Sequence, residues 1–407
     1  MEGGNPGGGS RLGGFQTVPH KVRWLIYLAS FVSVAYGYLL VAIAAYLPEI
    51  GLTSGDVGLI LGANGIAFVV SAVPIGFIAD RRGRKLVLIL GLLAVPPSLL
   101  AYALTTDVGV LVMAGITAGV AEGAFLTSWN ALIADMTTQE NRVAAFSFSF
   151  IVGNIPMTIG FALPFVFPFV STWTGLDTHT IHAWAFILLA GVALISPITL
   201  FFLLRDYKEG ISPNSSPVRW KGMGLLLKFS GLNSLIGLGA GFIIPLIPTW
   251  LFLKFGVPDT YSGPLLALSL LTMAFAAIGS PRLAARYGSV KAIVMTQGLS
   301  TIFMFALAFA GEPVVASLLY LIRTSLMNMS VPLADSFLMG IVPKEGRGLA
   351  SAINSLIWRL PNSATTMVGG MILAAGIFDL PFFLATGFYL VSITLFYRVF
   401  KEVKPTS

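Results

Sequence analysis

The sequence predicts an all-α membrane protein in which twelve transmembrane helices form two pseudo-symmetric six-helix bundles. Three observations support this fold class: apolar runs of spanning length recur from end to end, basic residues cluster in alternate loops, and the two halves of the chain repeat. Hydrophobic residues make up 56% of the 407 positions and charged residues only 10%, far from the composition of a soluble domain. Composition therefore outweighs chain length, which alone would suggest two or three soluble domains.

Apolar runs place the individual helices. The first is expected from about Val22 to Leu47, a length that spans the bilayer with some tilt. The other eleven are expected near 55–79, 86–105, 108–134, 143–171, 181–204, 227–253, 261–281, 290–310, 314–341, 348–377 and 380–399. The resulting organisation is a disordered Gly-rich tail over 1–20, bundles over 21–204 and 228–400, a cytoplasmic linker over 205–227 and a tail over 401–407.

The charges predict how the chain sits in the membrane. Of the 24 Lys and Arg residues, all but Lys254, Arg323 and Arg359 lie in the two terminal segments or in loops near 81–85, 142, 205–228, 282–291 and 344–347. The opposite loops carry mainly acids, namely Glu49, Asp56, Asp107, Asp177, Asp259, Glu312 and Asp379. This asymmetry predicts a multi-pass protein of the cell membrane with both termini in the cytoplasm. It also argues against nucleic acid as a partner for the net charge of +7.

The two halves repeat with an offset of 205 residues. The matching positions are Glu140, Arg142 and Pro156 with Glu345, Arg347 and Pro361, and Gly51 and Gly58 with Gly256 and Gly263. One offset that aligns loops, helix ends and prolines predicts two parallel bundles related by an axis along the membrane normal.

A short polar segment separates the second apolar run from the third: Gly76-Phe77-Ile78-Ala79-Asp80-Arg81-Arg82-Gly83-Arg84-Lys85. Its charges cannot lie in hydrocarbon, so the segment is a tight loop between two membrane helices. The pattern resembles the loop signature of the major facilitator superfamily, most closely in character its proton-coupled drug antiporter branch. The resemblance implies transport of a small organic solute by alternating access, commonly by a monomer in the lipid bilayer.

The resemblance also implies gating residues at the cytoplasmic face. Ion pairs of this loop latch the outward-facing state in such families, which assigns gating to Gly76, Asp80, Arg81, Gly83 and Arg84. Asp135, at the inner end of the fourth helix, is the expected partner of Arg81 or Arg84. Arg142, in the next cytoplasmic loop, belongs to the same gating set.

Four ionisable residues lie inside predicted helices, where each costs at least about 2.5 kcal/mol and so needs a reason. Glu122 is the candidate proton carrier, with a permanent ion pair as the alternative. Arg323, one turn from the level of Glu122 in the repeat, is its expected partner or a ligand for a substrate anion. Asp335 could bind substrate or protons, or act in gating by pairing with an inner-loop arginine.

The fourth such residue, Arg359, is equivalent to Asn154, and each stands two residues before a proline that turns nearby polar groups towards a cavity. Asn362 lies one turn beyond Arg359, so both are expected to line a water-filled cavity. With Glu122, Arg323, Arg359 and Asn362, the expected substrate-binding set also includes Tyr38, Trp129, Asn154 and Asn328. For the aromatic residues, ordinary packing is the competing interpretation.

Other chemistry finds little support. There is no GxxxxGK[ST] phosphate loop, no cysteine and no convincing metal cluster among three histidines, so no enzyme, cofactor or metal is expected. The expected function is proton-coupled export of a lipophilic or cationic compound, although Ile155 interrupts the exporter signature of the fifth helix. One alternative is proton-coupled transport of an organic anion by Arg323 and Arg359. Another is a non-transporting membrane sensor or scaffold.

Overall fold

The computed structural model describes residues 16–207, 223–342 and 347–403. Its helical segments are α1 (His20–Glu49), α2 (Ser54–Arg82), α3 (Arg84–Leu104), α4 (Val108–Asp135), α5 (Gln139–Ala162, Leu163–Val166 and Phe167–Thr174), α6 (Thr178–Leu203), α7 (Met223–Phe255), α8 (Asp259–Tyr287), α9 (Ser289–Ala308), α10 (Pro313–Ile341), α11 (Arg347–Ala374) and α12 (Leu380–Phe400). The predicted all-α fold class is confirmed. We refer to α1–α6 as the N-half and to α7–α12 as the C-half.

Some predictions fall outside the described residues. These include most of the terminal tails over 1–20 and 401–407, most of the linker over 205–227, and the loop residue Glu345. The side chains of Asp80, Glu140 and Arg347 also lie outside the described part, although their backbone is helical.

Ten of the described segments are long and apolar enough to cross a membrane. The other two, α8 and α11, contain 29 and 28 residues, which is a spanning length, but they fall outside that set. The multi-pass prediction is therefore confirmed, while the count of twelve spans stays a prediction.

Two helices end later than expected, beside equivalent loops of the two halves. α2 continues to Arg82 and α8 to Tyr287, beyond the expected ends near residues 79 and 281. A helix does not need hydrocarbon around it, so it continues into the polar zone until a residue breaks it. Gly83 and Gly288 end these helices with φ of 104° and 79°, where glycine is favoured because it lacks a Cβ.

Several helices contain irregular turns, among them α1, α7 and α10. α1 becomes a π-helix over Ala42–Tyr46, and wider turns of this kind change which face the following residues present. α7 passes through a 3-10 turn over Ile244–Leu246, and α10 is interrupted at Ser330. Proline explains the last two breaks, because Pro245 and Pro332 cannot donate a backbone hydrogen bond.

The helix connections lie on two faces, which we name for their dominant charge. The basic face carries the connections near 82–84, 135–139, 203–223, 287–289 and 341–347. The acidic face carries those near 49–54, 104–108, 174–178, 255–259, 308–313 and 374–380.

The halves pack closely together on the side of the acidic face. α2 crosses α11 where a Cβ added to Gly58 would lie 2.7 Å from the carbonyl oxygen of Thr366 and 2.9 Å from Cα of Gly370. α8 meets α5 in the same way, with Gly263 against the backbone of Phe161. Because Gly58 and Gly263 are equivalent in the repeat, one kind of small-residue contact joins the halves twice.

Candidate functional site

A cavity of about 560 Å³ lies between the halves. Its polar and aromatic lining in the C-half includes Asn233, Gln297, Arg323, Asn328, Asp335, Asn354, Ser355, Trp358, Arg359, Asn362 and Tyr389. The N-half contributes Phe68 and Leu126. The lining reaches from mid-helix towards the basic face, because residues of α10 beyond Ser330 take part in it. A mixed polar and aromatic surface of this size suits a small organic molecule.

An ion pair joins the halves at the wall of this cavity. Nη2 of Arg359 lies 2.7 Å from Oε2 of Glu122, and the hydroxyl of Tyr36 donates a hydrogen bond of 2.5 Å to the same oxygen. The guanidinium carbon also lies 4.1 Å from the centre of the Phe68 ring, a cation–π contact. The side chains of Glu122 and Arg359 remain 22% and 30% exposed, so neither charge is sealed in a dry contact.

Local sequence explains why these groups meet. Gly119, one turn before Glu122 on α4, packs so closely on α2 that an added Cβ would overlap the backbone of Asn64. This close packing allows the Glu122 carboxylate to reach the interface between the halves. On α11, Asn362 donates a hydrogen bond of 3.0 Å to the carbonyl oxygen of Gly237, which holds the segment around Arg359 against α7.

The predicted pairing of Arg323 with Glu122 is wrong. Nη2 of Arg323 donates a hydrogen bond of 2.5 Å to the hydroxyl of Tyr389 on α12, and the side chain is 4% exposed. Its Nε has no hydrogen-bond partner among the described residues. The repeat located Arg323 along the helix, but α10 turns this side chain towards α12. Arg359 reaches Glu122 instead.

The structure brings five of the expected residues to one cavity: Arg323, Asn328, Asp335, Arg359 and Asn362. Glu122 joins them through its bond to Arg359. Asn328 donates a hydrogen bond of 2.9 Å to the carbonyl oxygen of Thr324, which leaves its amide oxygen as the group available to a ligand.

Three expected substrate residues lie elsewhere. Trp129 and Asn154 line a separate cavity of about 210 Å³ among α1, α4 and α5, and Trp129 donates a hydrogen bond of 2.9 Å to Ser149. Tyr38 is fully buried, with its hydroxyl 2.7 Å from Nδ1 of His182. Packing inside the N-half, the competing interpretation, describes the two aromatic residues better.

The expected gating residues lie at the basic face. Arg84 forms an ion pair with Asp135, and Arg142 donates a hydrogen bond of 3.0 Å to the carbonyl oxygen of Ala134 near the end of α4. Cations at helix carboxyl termini are stabilising, and both contacts lie within the N-half. Arg81 is exposed. The gating role of this set, including Gly76, Asp80 and Gly83, stays a prediction.

Sequence reasoning missed a group of side chains near the acidic face, which we call the acidic-face cluster: Tyr38, Tyr46, Glu49, His182 and Asp259. The available signal was His182, a histidine inside a strongly apolar helix. Within the described residues, no group of three or more His, Asp and Glu side chains is arranged to hold a metal ion.

Two helical halves around a charged cavity have the architecture of a secondary transporter. The chain belongs to the major facilitator superfamily, since the profile described as Major Facilitator Superfamily matches residues 24–363 and 229–407. Members of this family are transporters rather than enzymes.

The curated relatives are distant. Quinolone resistance protein NorA of Staphylococcus aureus (strain Mu50) is 22% identical over 191 residues, which cover 47% of this chain and 47% of NorA. The gallate transporter of Pseudomonas putida is 28% identical over 187 residues, which cover 45% of this chain and 39% of that protein. The chain thus matches about half the length, or less, of these relatives.

Solved structures share the fold over almost their whole length. A bacterial homologue of the human lysosomal transporter Spinster, inward-facing and occupied, aligns with a TM-score of 0.76 at 13% identity, covering 93% of this chain and 97% of that one. A D-xylose–proton symporter gives 0.72 at 14% identity, covering 96% and 98%. The human organic anion transporter MFSD10 gives 0.62 at 17%, covering 92% and 99%. Such low identities show the fold alone.

Proposed function

We propose that this chain transports a small organic anion together with protons, and that the 560 Å³ cavity is the substrate site. The observation that carries the proposal is that two guanidinium groups, those of Arg323 and Arg359, line one cavity. Arginine binds carboxylates with short, charge-assisted hydrogen bonds. This reverses the order of preference reached from the sequence, where a cation was favoured because Glu122 was expected to be available.

Glu122 is the proposed proton site. While ionised, its carboxylate accepts from both Arg359 and Tyr36, so a substrate anion has to compete with it for Arg359. Protonation removes that competing charge and frees donors of Arg359 for the substrate. Proton binding and anion binding would then favour each other, which is the thermodynamic requirement for coupling.

Alternating access would use the contacts between the halves. Positive charge assigns the basic face to the cytoplasm, so a protein closed at the acidic face with a cavity towards the basic face is inward-facing. Opening the acidic face would separate α2 from α11 and α5 from α8 around the Gly58 and Gly263 contacts. We propose that the protein does this as a monomer in the cell membrane, with both termini cytoplasmic.

The names of two similar proteins support the choice of an anion. One similar curated protein is a gallate transporter, and one solved structure of the same fold is an organic anion transporter. Aromatic side chains beside the arginines, namely Phe68, Trp358 and Tyr389, suit an aromatic carboxylate.

The second candidate is proton-coupled export of a lipophilic or cationic compound. Asp335 lines the cavity and forms no ion pair with any of the described residues, so its carboxylate suits a cation. NorA, which is named for quinolone resistance, matches part of the chain. In this case Asp335 and Glu122 would be the proton-coupling residues.

Proteoliposomes containing the purified protein distinguish these candidates. Uptake and efflux of labelled aromatic carboxylates and of lipophilic cations are measured under an imposed pH gradient, for wild type and for Arg323→Gln. One arginine contributes about 1.5–3 kcal/mol to such a contact, so the variant is expected to need roughly 10- to 100-fold more anion for half-maximal flux. Lys254→Gln is the matched control, because Lys254 lies on α7 outside the cavity lining and pairs with Asp379.

Each candidate function predicts a different result in these flux measurements. Cation efflux that survives Arg323→Gln, with no anion flux in wild type, would replace the first candidate by the second. Absence of flux for every compound in wild type would favour a sensor or scaffold. For the proton site, Glu122→Gln is expected to retain anion exchange but lose accumulation driven by a pH gradient, and unchanged accumulation would exclude Glu122 as the coupling residue.

A further inference from the structure

The acidic-face cluster brings ionisable groups from both halves into one buried place. Nε2 of His182 on α6 lies 3.2 Å from Oδ2 of Asp259, the first residue of α8. Nδ1 of the same ring lies 2.7 Å from the hydroxyl of Tyr38, and the ring stacks on Tyr46 with centroids 3.6 Å apart. The backbone N–H of Asp259 donates to the carboxylate of Glu49 at the end of α1.

Four of the five residues of this cluster are buried, and Glu49 is partly buried. The side chains of His182 and Asp259 are 0% and 1% exposed. Neither carboxylate oxygen of Asp259 has a hydrogen-bond partner among the described residues, nor has Nε2 of His182, so their close approach is not aligned as a hydrogen bond. A buried carboxylate without donors is costly when ionised. The arrangement therefore needs either a charged histidine or a protonated acid.

Among the described residues, no lysine or arginine forms an ion pair with Glu49 or Asp259. Helix α1 contributes only the cluster residues Tyr38, Tyr46 and Glu49. Next to the cluster on α6 lies His179, whose ring centre is 6.4 Å from that of Tyr46. Asp177, before α6, adds negative charge near Tyr46. On the C-half, Lys254 of α7 is bound by Asp379 and the carbonyl oxygen of Ala308, and Tyr261 of α8 faces Ser317 on α10.

The cluster also spans the contact that has to open. Glu49, Tyr46 and His182 belong to the N-half and Asp259 to the C-half, and close by Thr249 of α7 donates a hydrogen bond to the carbonyl oxygen of Ala44 on α1. Separating the halves at the acidic face would pull Asp259 away from His182 and Glu49 and hydrate all three. Closure does the reverse: it buries the Asp259 carboxylate against the His182 imidazole and places the partly buried Glu49 carboxylate on the Asp259 backbone N–H.

We propose that the acidic-face cluster is a second proton-binding site, distinct from Glu122, that is filled when the acidic face closes and emptied when it opens. Its ligand is a proton taken from the medium on that face, held among His182, Asp259 and Glu49. Each proton bound preferentially by the closed state makes the ratio of closed to open protein change up to about tenfold per pH unit. Acid on this side therefore favours the inward-facing state, whatever solute the central cavity binds.

The absence of cysteine from the sequence makes the test direct. Cysteines for spin labels are placed at Leu104 in the N-half and Ile377 in the C-half, both exposed at the acidic face. Double electron–electron resonance then measures the distance between the labels in lipid nanodiscs from pH 5.5 to 8.5. Wild type is expected to move from the longer towards the shorter distance as the pH falls.

The substituted proteins decide whether the cluster causes this change. Asp259→Asn is expected to flatten the pH dependence of the closed fraction. Asp177→Asn, a solvent-facing acid of the same face that caps α6, should keep it. The readout is a distance at the acidic face and not solute flux, so the difference between Asp259→Asn and wild type can be measured whether or not Glu122 carries the coupling proton. A pH dependence in Asp259→Asn equal to that of wild type would overturn the proposal.

Glu49→Gln provides a second substitution at a less buried position, in case Asp259→Asn does not fold. It keeps an oxygen that can accept from the Asp259 N–H, so closure itself should survive. The expected result is a weaker pH dependence with unchanged limiting distances. A closed fraction that follows pH as in wild type would again overturn the proposal.

Discussion

Two cavities among the described residues have equivalent lining positions in the two halves, yet they differ in size and chemistry. The N-half cavity measures about 210 Å³; the cavity between the halves, which is lined mostly by the C-half and is called the C-half cavity below, measures about 560 Å³. Six lining positions match at the offset of 205 residues: Phe125, Trp129, Ser149, Gly153, Asn154 and Met157 correspond to Ser330, Ala334, Asn354, Trp358, Arg359 and Asn362.

The difference lies in side chains placed on a shared helical frame. In the N-half, Phe125 and Trp129 stack with centroids 5.2 Å apart and fill the space that Ser330 and Ala334 leave open in the C-half. Arg359 stands where the N-half has Asn154. A duplicated bundle can therefore assign substrate binding to one half while the other supplies Glu122 and packing, and the repeat alone does not say which half does what.

The largest effect on transport is expected when Arg359 of the C-half is replaced by asparagine, the residue at the equivalent N-half position. Arg359→Asn should lower anion transport at least about 100-fold, because it removes a substrate ligand and leaves Glu122 without its cation. Initial rates of uptake into proteoliposomes measure this. Asn154→Ala, the equivalent position, should change the rate less than about twofold, and a similar loss in both variants would contradict the assignment of the site to the C-half.

A smaller effect is expected from filling the C-half cavity with the side chain found in the N-half. Ala334→Trp should weaken binding of bulky solutes at least about tenfold and that of the smallest ones much less, because the indole occupies cavity volume. Isothermal titration with carboxylates of increasing size measures the trend. Trp129→Phe serves as the control, and equal losses across the size series would show that Ala334 does not limit the cavity.

Two glycines of α2, one in the contact between the halves and one outside it, allow a comparison of stability effects within one helix. A Cβ added at Gly58 would meet backbone atoms of α11 at 2.7 and 2.9 Å, whereas one added at Gly76 meets nothing within 4 Å. Gly58→Ala should destabilise the closed protein by about 1–3 kcal/mol through overpacking. Gly76→Ala should be neutral or slightly stabilising. Melting curves in detergent measure both, and a neutral Gly58→Ala would mean that the contact yields easily.

The smallest effect is expected at the amino terminus of α6. Asp177 accepts hydrogen bonds from the backbone N–H and hydroxyl of Thr180, and these bonds lower the pKa of its carboxyl group below the ordinary value. A carboxyl group with a lowered pKa stabilises the folded state above its unfolded pKa, and this stability is lost as the pH falls through the folded pKa.

Asp177→Ala should therefore lower the melting temperature slightly at neutral pH, and this difference should shrink as the pH falls towards the lowered pKa of the folded wild-type carboxyl. Asp177→Asn keeps an oxygen acceptor and should lower the melting temperature less. Melting curves from pH 3 to 7 test this, and a larger effect in acid than at neutral pH would contradict the sign.

The sequence was sufficient to predict features that depend only on the order of residues along the chain. Spanning apolar runs, the loop around Gly83 and the level of the ionisable residues along their helices all follow from position in the chain. It failed for Arg323, because direction around a helix axis depends on how the helix packs. The interruption of α10 at Ser330 and the neighbouring Tyr389 on α12 are properties of the assembled bundle.

The acidic-face cluster was missed for a related reason. Glu49 and Asp259 stand at helix ends, where acids usually face solvent, so the sequence indicated loop charges. Only packing brings Asp259, at the start of α8, beside His182 on α6. A pair separated by this many residues in different halves has no local pattern that would identify it.

The contact of Arg359 with the Phe68 ring has an electrical consequence. If Glu122 takes up a proton as proposed, the guanidinium can stay on the ring, so the charge of the cavity would change by one unit with little movement. A singly charged substrate anion would then restore the lost negative charge. The loaded and empty carriers would bear equal net charge in the membrane, and the membrane voltage would favour neither of them.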